Sequence, residues 1–121
     1  TRNGVSEGEL FLESMWINYQ HEHDFNPPHY HSGALSFVIY CDVPQQVFQD
    51  NPTSNIQRSG QITFSHGERS TPLVDTQWSV KPCRNMLLMF PAQLVHTVFP
   101  HWIPSVRVSV AGNLRTRYSN K

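Results

Sequence analysis

The chain has 121 residues, nine basic and nine acidic side chains, and a formal net charge of zero. That length allows one domain, residues 1–121, with a single modest core, and the charge balance offers no general attraction for nucleic acid or an anionic membrane. No apolar run approaches the roughly 20 residues that span a bilayer, and two cysteines, Cys41 and Cys83, do not make a disulfide framework. No secretory leader pattern opens the chain, which begins at Thr1 and reads as a fragment lacking its own N-terminus. A cytoplasmic setting is the default expectation.

Nine prolines break nearly every window long enough for a helix, and the runs between them are rich in β-branched and aromatic residues. In chain order, Gly8–Ser14 reads as a helical turn or an edge strand, and Met15–Gln20 as a strand. Ala34–Val43 is apolar on nearly both faces, as expected of a strand inside a sandwich. The polar stretch Asp42–Gly60 predicts a long surface loop, a length common in lids and binding segments. Gln61–Ser65 follows as a strand, Ser65–Asp75 as a second excursion, and Gln77–Lys81 as a strand. A turn at Lys81–Asn85 leads to the apolar strand Met86–Phe90, then Thr97–Phe99 and Val106–Leu114. Arg115–Lys121 reads as a frayed end. Seven or eight short strands with proline-rich turns imply an antiparallel sandwich or barrel. A jelly roll fits best, because its open mouth can hold a metal between strands of both sheets.

Seven histidines stand out in this composition. His29 and His31 lie two residues apart, so in extended backbone both side chains share a face and can converge on one ion. Pro27-Pro28 stiffens the lead-in and lowers the entropy lost on binding, and Gly33 allows a tight turn into the next strand. Far downstream, His96 is the third candidate, since imidazole is the commonest ligand for iron, zinc, copper and nickel. Arg107 and Ser109 repeat the i, i+2 spacing with a fixed cation and a hydroxyl, a pair suited to a carboxylate. The plainer alternatives are a solvated His29–His31 pair, a buried His96 bonded to a backbone carbonyl, and a half-exposed strand with Arg107 in water. The valine alternation of Val106–Val110 favours the last of these for Arg107. His21 and His23 sit among Glu22, Asp24 and Asn26 and read as solvated; His66 and His101 read as loop residues. Cys41 reads as a small core residue, and Cys83 has no evident role. Metal ligands beside an anion clamp point to a metal-dependent enzyme with an acidic cosubstrate.

Several segments together carry a family resemblance: Trp16-Ile17-Asn18, Asn26 to His31, Leu35 to Tyr40, Phe90-Pro91 leading to His96, and Arg107 to Val110. In order and spacing they resemble the iron(II)/2-oxoglutarate-dependent oxygenases, in particular a small prolyl-hydroxylase-like group of marine bacteria and their phages. The likeness runs from about Trp16 to Asn113. It implies an all-β double-stranded β-helix, a cupin-like jelly-roll barrel, with Fe(II) as metal and 2-oxoglutarate as cosubstrate. The implied activity is hydroxylation of a small-molecule or peptidyl substrate. His29 and His96 match the two metal-binding histidines, and Arg107 matches the residue that grips the distal carboxylate of 2-oxoglutarate, with Ser109 two positions on. Tyr40 is a candidate for a cosubstrate hydrogen bond. The departure is at His31, where the superfamily usually has a carboxylate. It implies a three-histidine site, a carboxylate recruited from elsewhere such as Asp42, or weakened iron affinity. Halogenase chemistry does not fit, because it needs a small residue at this position. Two further readings stand beside the oxygenase. A cupin-type metalloprotein would usually carry a glutamate soon after His-x-His, and Ser32–Ser36 has none. A catalytically silent jelly-roll binding module would bind neither metal nor 2-oxoglutarate. A homo-oligomer is compatible with all three.

Overall fold

The computed structural model describes residues 8–50, 58–67 and 76–118. Eight strands run β1 (Gly8–Gln20), β2 (Asn26–His29), β3 (Leu35–Asp42), β4 (Ile62–Ser65), β5 (Gln77–Val80), β6 (Leu87–Pro91), β7 (Val95–Val98) and β8 (Arg107–Tyr118). They form two four-stranded antiparallel sheets, ordered β1-β8-β3-β6 and β2-β7-β4-β5. This all-β arrangement is consistent with a jelly roll. No helix among the described residues is long and apolar enough to cross a membrane.

Most predicted strands are present, and the differences have physical causes. Of the two readings of Gly8–Ser14 the edge strand holds and the helical turn does not: it is fused with Met15–Gln20 into one edge strand that pairs with β8 from Gly8 to Gln20 through a bulge near Glu13. Its pairing carries β8 on to Tyr118, so Arg115–Arg117 are ordered in the sheet instead of frayed. β2 was not expected, because it contains Pro27 and Pro28. It is tolerated because β2 is an edge strand that pairs with β7 only at Asn26 and His29, leaving the prolines no ladder bond to lose. Within the predicted loop Asp42–Gly60 lies a short 3₁₀ helix, Gln45–Phe48, whose Val47 is fully buried. That segment therefore roots in the core rather than lying wholly on the surface; residues 51–57, and 68–75 of the second excursion, lie outside the described residues. Cys41 is exposed rather than in the core, since it sits where the β3–β8 register shifts between Tyr40 and Asp42.

The core lies between the sheets at their β3–β6 and β4–β5 side. Val38, Tyr40, Phe90, Ile62 and Phe64 pack there with Val43 and Val47, and the Phe64 and Phe90 rings meet edge-to-face at 4.9 Å. Each such side chain contributes about 1.5–3 kcal/mol through burial. At the β1–β8 and β2–β7 side the sheets flank an open cavity of about 260 Å³, just below the roughly 300–1,000 Å³ usual for ligand sites.

The outward face of the β1-β8-β3-β6 sheet is apolar. Strand pairing aligns Ile17, Val110, Ile39 and Leu87 in one row across all four strands. A second row runs Met15, Gly112, Phe37 and Met89. Gly112 is required there: a Cβ would lie 2.5 Å from the Phe37 ring and 2.7 Å from the Ser14 carbonyl oxygen.

Candidate metal centre

His29 on β2 and His96 on β7 are direct cross-strand partners, and their ring centroids lie 4.1 Å apart. His31 follows β2, where its backbone N–H donates to the Ala92 carbonyl at 2.8 Å and so ties it to the turn before β7. Its ring centroid lies 5.0 Å from that of His29 and 5.2 Å from that of His96. Gly33, with φ of 111°, then turns the chain into β3, and a Cβ there would press on the Leu114 carbonyl at 3.1 Å. One candidate ligand atom from each of the three histidines lies within 4.8 Å of the others, within reach of a single ion. No carboxylate joins this group among the described residues.

The backbone also selects the tautomers. The Nδ1–H of His29 donates to the Pro27 carbonyl at 2.7 Å, and that of His96 to the Leu94 carbonyl at 3.0 Å. A carbonyl oxygen can only accept, so each Nε2 keeps its lone pair for a metal, the arrangement typical of ligating histidines. Burial pushes His96 down to about 4, against the Leu94 hydrogen bond and with help from His29 and His31. His31 is lowered too, by burial and then by His29. Neutral imidazole is the ligating form, so at neutral pH these two need not shed a proton to bind.

Across the cavity, β8 supplies Arg107 and Ser109, and β3 supplies Tyr40. Arg107 is only 4% exposed, a correction to the valine pattern that favoured a solvated side chain. Its guanidinium sits 5.5 Å above the Tyr40 ring and donates one hydrogen bond to the Gly60 carbonyl. No carboxylate among the described residues lies within ion-pair distance of it. Burial lowers Arg107 from its usual range while Tyr40 opposes the shift. The Tyr40 phenol is pushed up to about 12 by burial, against the pull of Arg107, and stays neutral. Gly60 has φ of 70°, and a Cβ there would sit 2.7 Å from the Val47 carbonyl oxygen. Buried Val47 and Gly60 therefore set the carbonyl that aims Arg107.

Thus His29, His31, His96, Arg107, Ser109 and Tyr40 all line one cavity. Asp42 is exposed at the end of β3 and outside the histidine group. His21 and His23 are exposed, as expected. His101 is in a loop as predicted but fully buried, with its ring nitrogens 3.0 Å from the Ile103 carbonyl oxygen and 3.1 Å from that of Gln20. Sequence reasoning missed Asn18, Gln20, Ser36 and Asn113 as cavity residues. Ser36 donates to Asn113 Oδ1 at 2.7 Å, and Gln20 Nε2 donates to the Phe99 carbonyl at 3.1 Å. Part of their signal was available: Asn18 and Gln20 alternate on β1, and Asn113 shares the every-second-position face of Arg107 and Ser109, interrupted by Ala111.

No curated protein matches the chain at a significant level. The sequence profile of a family described as "Putative 2OG-Fe(II) oxygenase" matches residues 14–113, a span that contains both sheets' cavity-lining strands and all three converging histidines. With most of its length matched, the chain belongs to this 2OG-Fe(II) oxygenase family.

Proposed function

We propose that the protein is an Fe(II)/2-oxoglutarate-dependent dioxygenase that hydroxylates a small-molecule or peptidyl substrate, built on one double-stranded β-helix domain. The small group of marine bacteria and phages is its proposed place in the family. The carrying observation is that three converging imidazoles and a buried guanidinium, with no carboxylate partner among the described residues, face one cavity. A buried cation left unpaired is costly, and an anionic ligand relieves that cost.

The donor set fits iron: His29, His31 and His96 would hold it through nitrogen, in a set with one more positive charge than two histidines and a carboxylate. Bound there with 2-oxoglutarate, Fe(II) supplies oxygen activation coupled to decarboxylation of the cosubstrate. The protein's own part is positional. Arg107 grips the distal carboxylate with its planar fork, Ser109 donates its hydroxyl, and neutral Tyr40 donates its phenol. Phe90, 5.0 Å from the His96 ring, and Phe64, at 6.2 Å, shield that histidine from water. The segments 42–60 and 65–75 are proposed to select the substrate; exchanging them without a change in preference would exclude that role.

An all-imidazole set also suits a cupin-type metalloprotein, but such a site has no use for the buried Arg107. Anaerobic titration of the apo-protein with Fe(II) and 2-oxoglutarate separates the readings through the visible charge-transfer band of the chelate. The expected result is a band in wild type, lost in His96→Ala and weakened in Arg107→Ala. Metal binding without a band would favour the cupin reading. Binding of neither would leave the silent module.

A further inference from the structure

We propose that Ser36 and Asn113 form the subsite that holds the prime substrate, and that they hold it by a neutral amide. This rests on the oxygenase reading above, which leaves the substrate open. The position follows from strand register. Ser36 is the cross-strand partner of Phe90 on one side and of Asn113 on the other, and the Phe90 ring lies 5.0 Å from that of His96. Two residues before Asn113, Ala111 pairs with Trp16, whose ring lies 6.2 Å from that of His31. Ser36 and Asn113 therefore border the imidazole cluster. Arg107 is set back along the same strand by about 20 Å at standard strand rise. A cosubstrate anchored at Arg107 approaches the histidines from that end, and Ser36 and Asn113 remain free on the side away from it.

The chemistry of the pair selects the group. Ser36 is only 3% exposed, lines the cavity and donates its hydroxyl to Asn113 Oδ1 at 2.7 Å. A hydroxyl has one donor and two lone pairs, so Ser36 Oγ can still accept. Asn113 Nδ2 carries two hydrogens; one reaches Ser14 Oγ at 3.4 Å, and the other is left to donate. A donor beside an acceptor suits a ligand that presents C=O and N–H to one side. A primary carboxamide does so within one group, and an extended peptide residue does so with its own N–H and C=O. Charge disfavours a zwitterion. Arg107 is the one Arg or Lys among the described lining residues, and the cosubstrate takes it. Further along β8, Arg115 is closed on Glu13 at 2.7 Å. A free amino acid would bring its carboxylate here without a cation, a cost that a neutral amide does not carry. Trp16 supplies the apolar wall on which the substrate carbons lie beside the histidines.

Titration of nitrogen-15-labelled protein with 2-oxoglutarate present, with and without Zn(II), tests this through the side-chain amide signals of Asn113. The probes are N-acetyl amino-acid N-methylamides of each coded residue, small primary carboxamides, and the free amino acids. Saturable movement of the Asn113 signals is expected with at least one amide probe and with none of the free amino acids. The class that moves them tells a peptide from a small amide. Ser36→Ala and Asn113→Leu are expected to weaken that probe about 10-fold, as for one lost hydrogen bond, and 2-oxoglutarate by less than about 2-fold. Free amino acids that bind as tightly as the amides overturn the inference. So do probes that all leave the signals unmoved, or amide binding that both variants retain. The Fe(II) chelate band separates this from the reading beneath it. A band without amide binding overturns the subsite alone, and no band in folded, metal-loaded protein overturns the oxygenase reading and the subsite with it. Should either variant fail to fold, the wild-type titration decides alone.

Discussion

Trp16, Asn18 and Gln20 line the cavity, whereas Met15 and Ile17 on the same strand lie outside its lining and are more than half exposed. β8 repeats the contrast: Arg107 and Ser109 are buried against the cavity, while Val110 lies on the outward rows. In an ordinary half-buried sheet the apolar residues face the core and the polar ones water. Here polar side chains of β1 and β8 face the cavity, and the ordinary polarity returns at Val38, Tyr40 and Phe90, which belong to the core as well as to the cavity wall. Alternation therefore identifies two faces, and the location of the functional void decides which is inside.

The sharpest way to break this contrast is to remove a proposed metal ligand from the inward side. His96→Ala is expected to lower Fe(II) affinity at least about 100-fold, since loss of a supporting partner alone costs 10–100-fold; anaerobic calorimetry reads it. Arg107→Met should weaken 2-oxoglutarate by roughly 2–5 kcal/mol, at least about 30-fold. In the same variant the ligand-free melting temperature should hold or rise, because an unpaired buried charge has gone. A melting temperature that fell with affinity would assign Arg107 a structural role. Gly60→Ala forces a side chain into a left-handed conformation and against Val47, so a loss of about 1–3 kcal/mol is expected in urea unfolding.

A smaller effect follows from the histidines. His96 titrates near 4 in the folded protein against an ordinary 6.5, so the unfolded chain takes up the proton first. Its contribution is intact above about 6.5 and is lost as pH falls from there toward 4. His31 adds in the same direction. Unfolding measured across that window should show wild type losing stability with acid more steeply than His96→Gln. At the low end, Leu87→Thr on the outward face should change monomer stability by less than about 0.5 kcal/mol, the usual range for an exposed site. A loss of several kcal/mol in dilute monomer would show that this face is buried within one chain.

Local chemistry made much of the fold legible. Proline spacing and β-branched runs placed most strands, because they act through backbone dihedrals and the missing N–H rather than through partners. The strand at Asn26–His29 escaped notice for the same reason: Pro27 and Pro28 forbid a central strand, and only the sheet order makes this one an edge. His-x-His spacing announced His29 and His31 as a pair, since extended backbone puts i and i+2 on one side wherever the strand lies.

What the sequence could not determine by itself depends on distant contacts. Whether Arg107 meets water or a cavity is undecided by Val-Arg-Val-Ser-Val. The answer comes from Tyr40 beneath it and from Gly60, 47 positions away in the chain, which accepts its hydrogen bond. Likewise His96 meets His29 only because β7 pairs with β2 in one register; a one-residue slip would turn its imidazole to the opposite face of the sheet. Residue types and their spacing are local and were written in the chain. Which face is interior, and which remote groups share a cavity, are non-local packing outcomes that the tertiary structure alone decided.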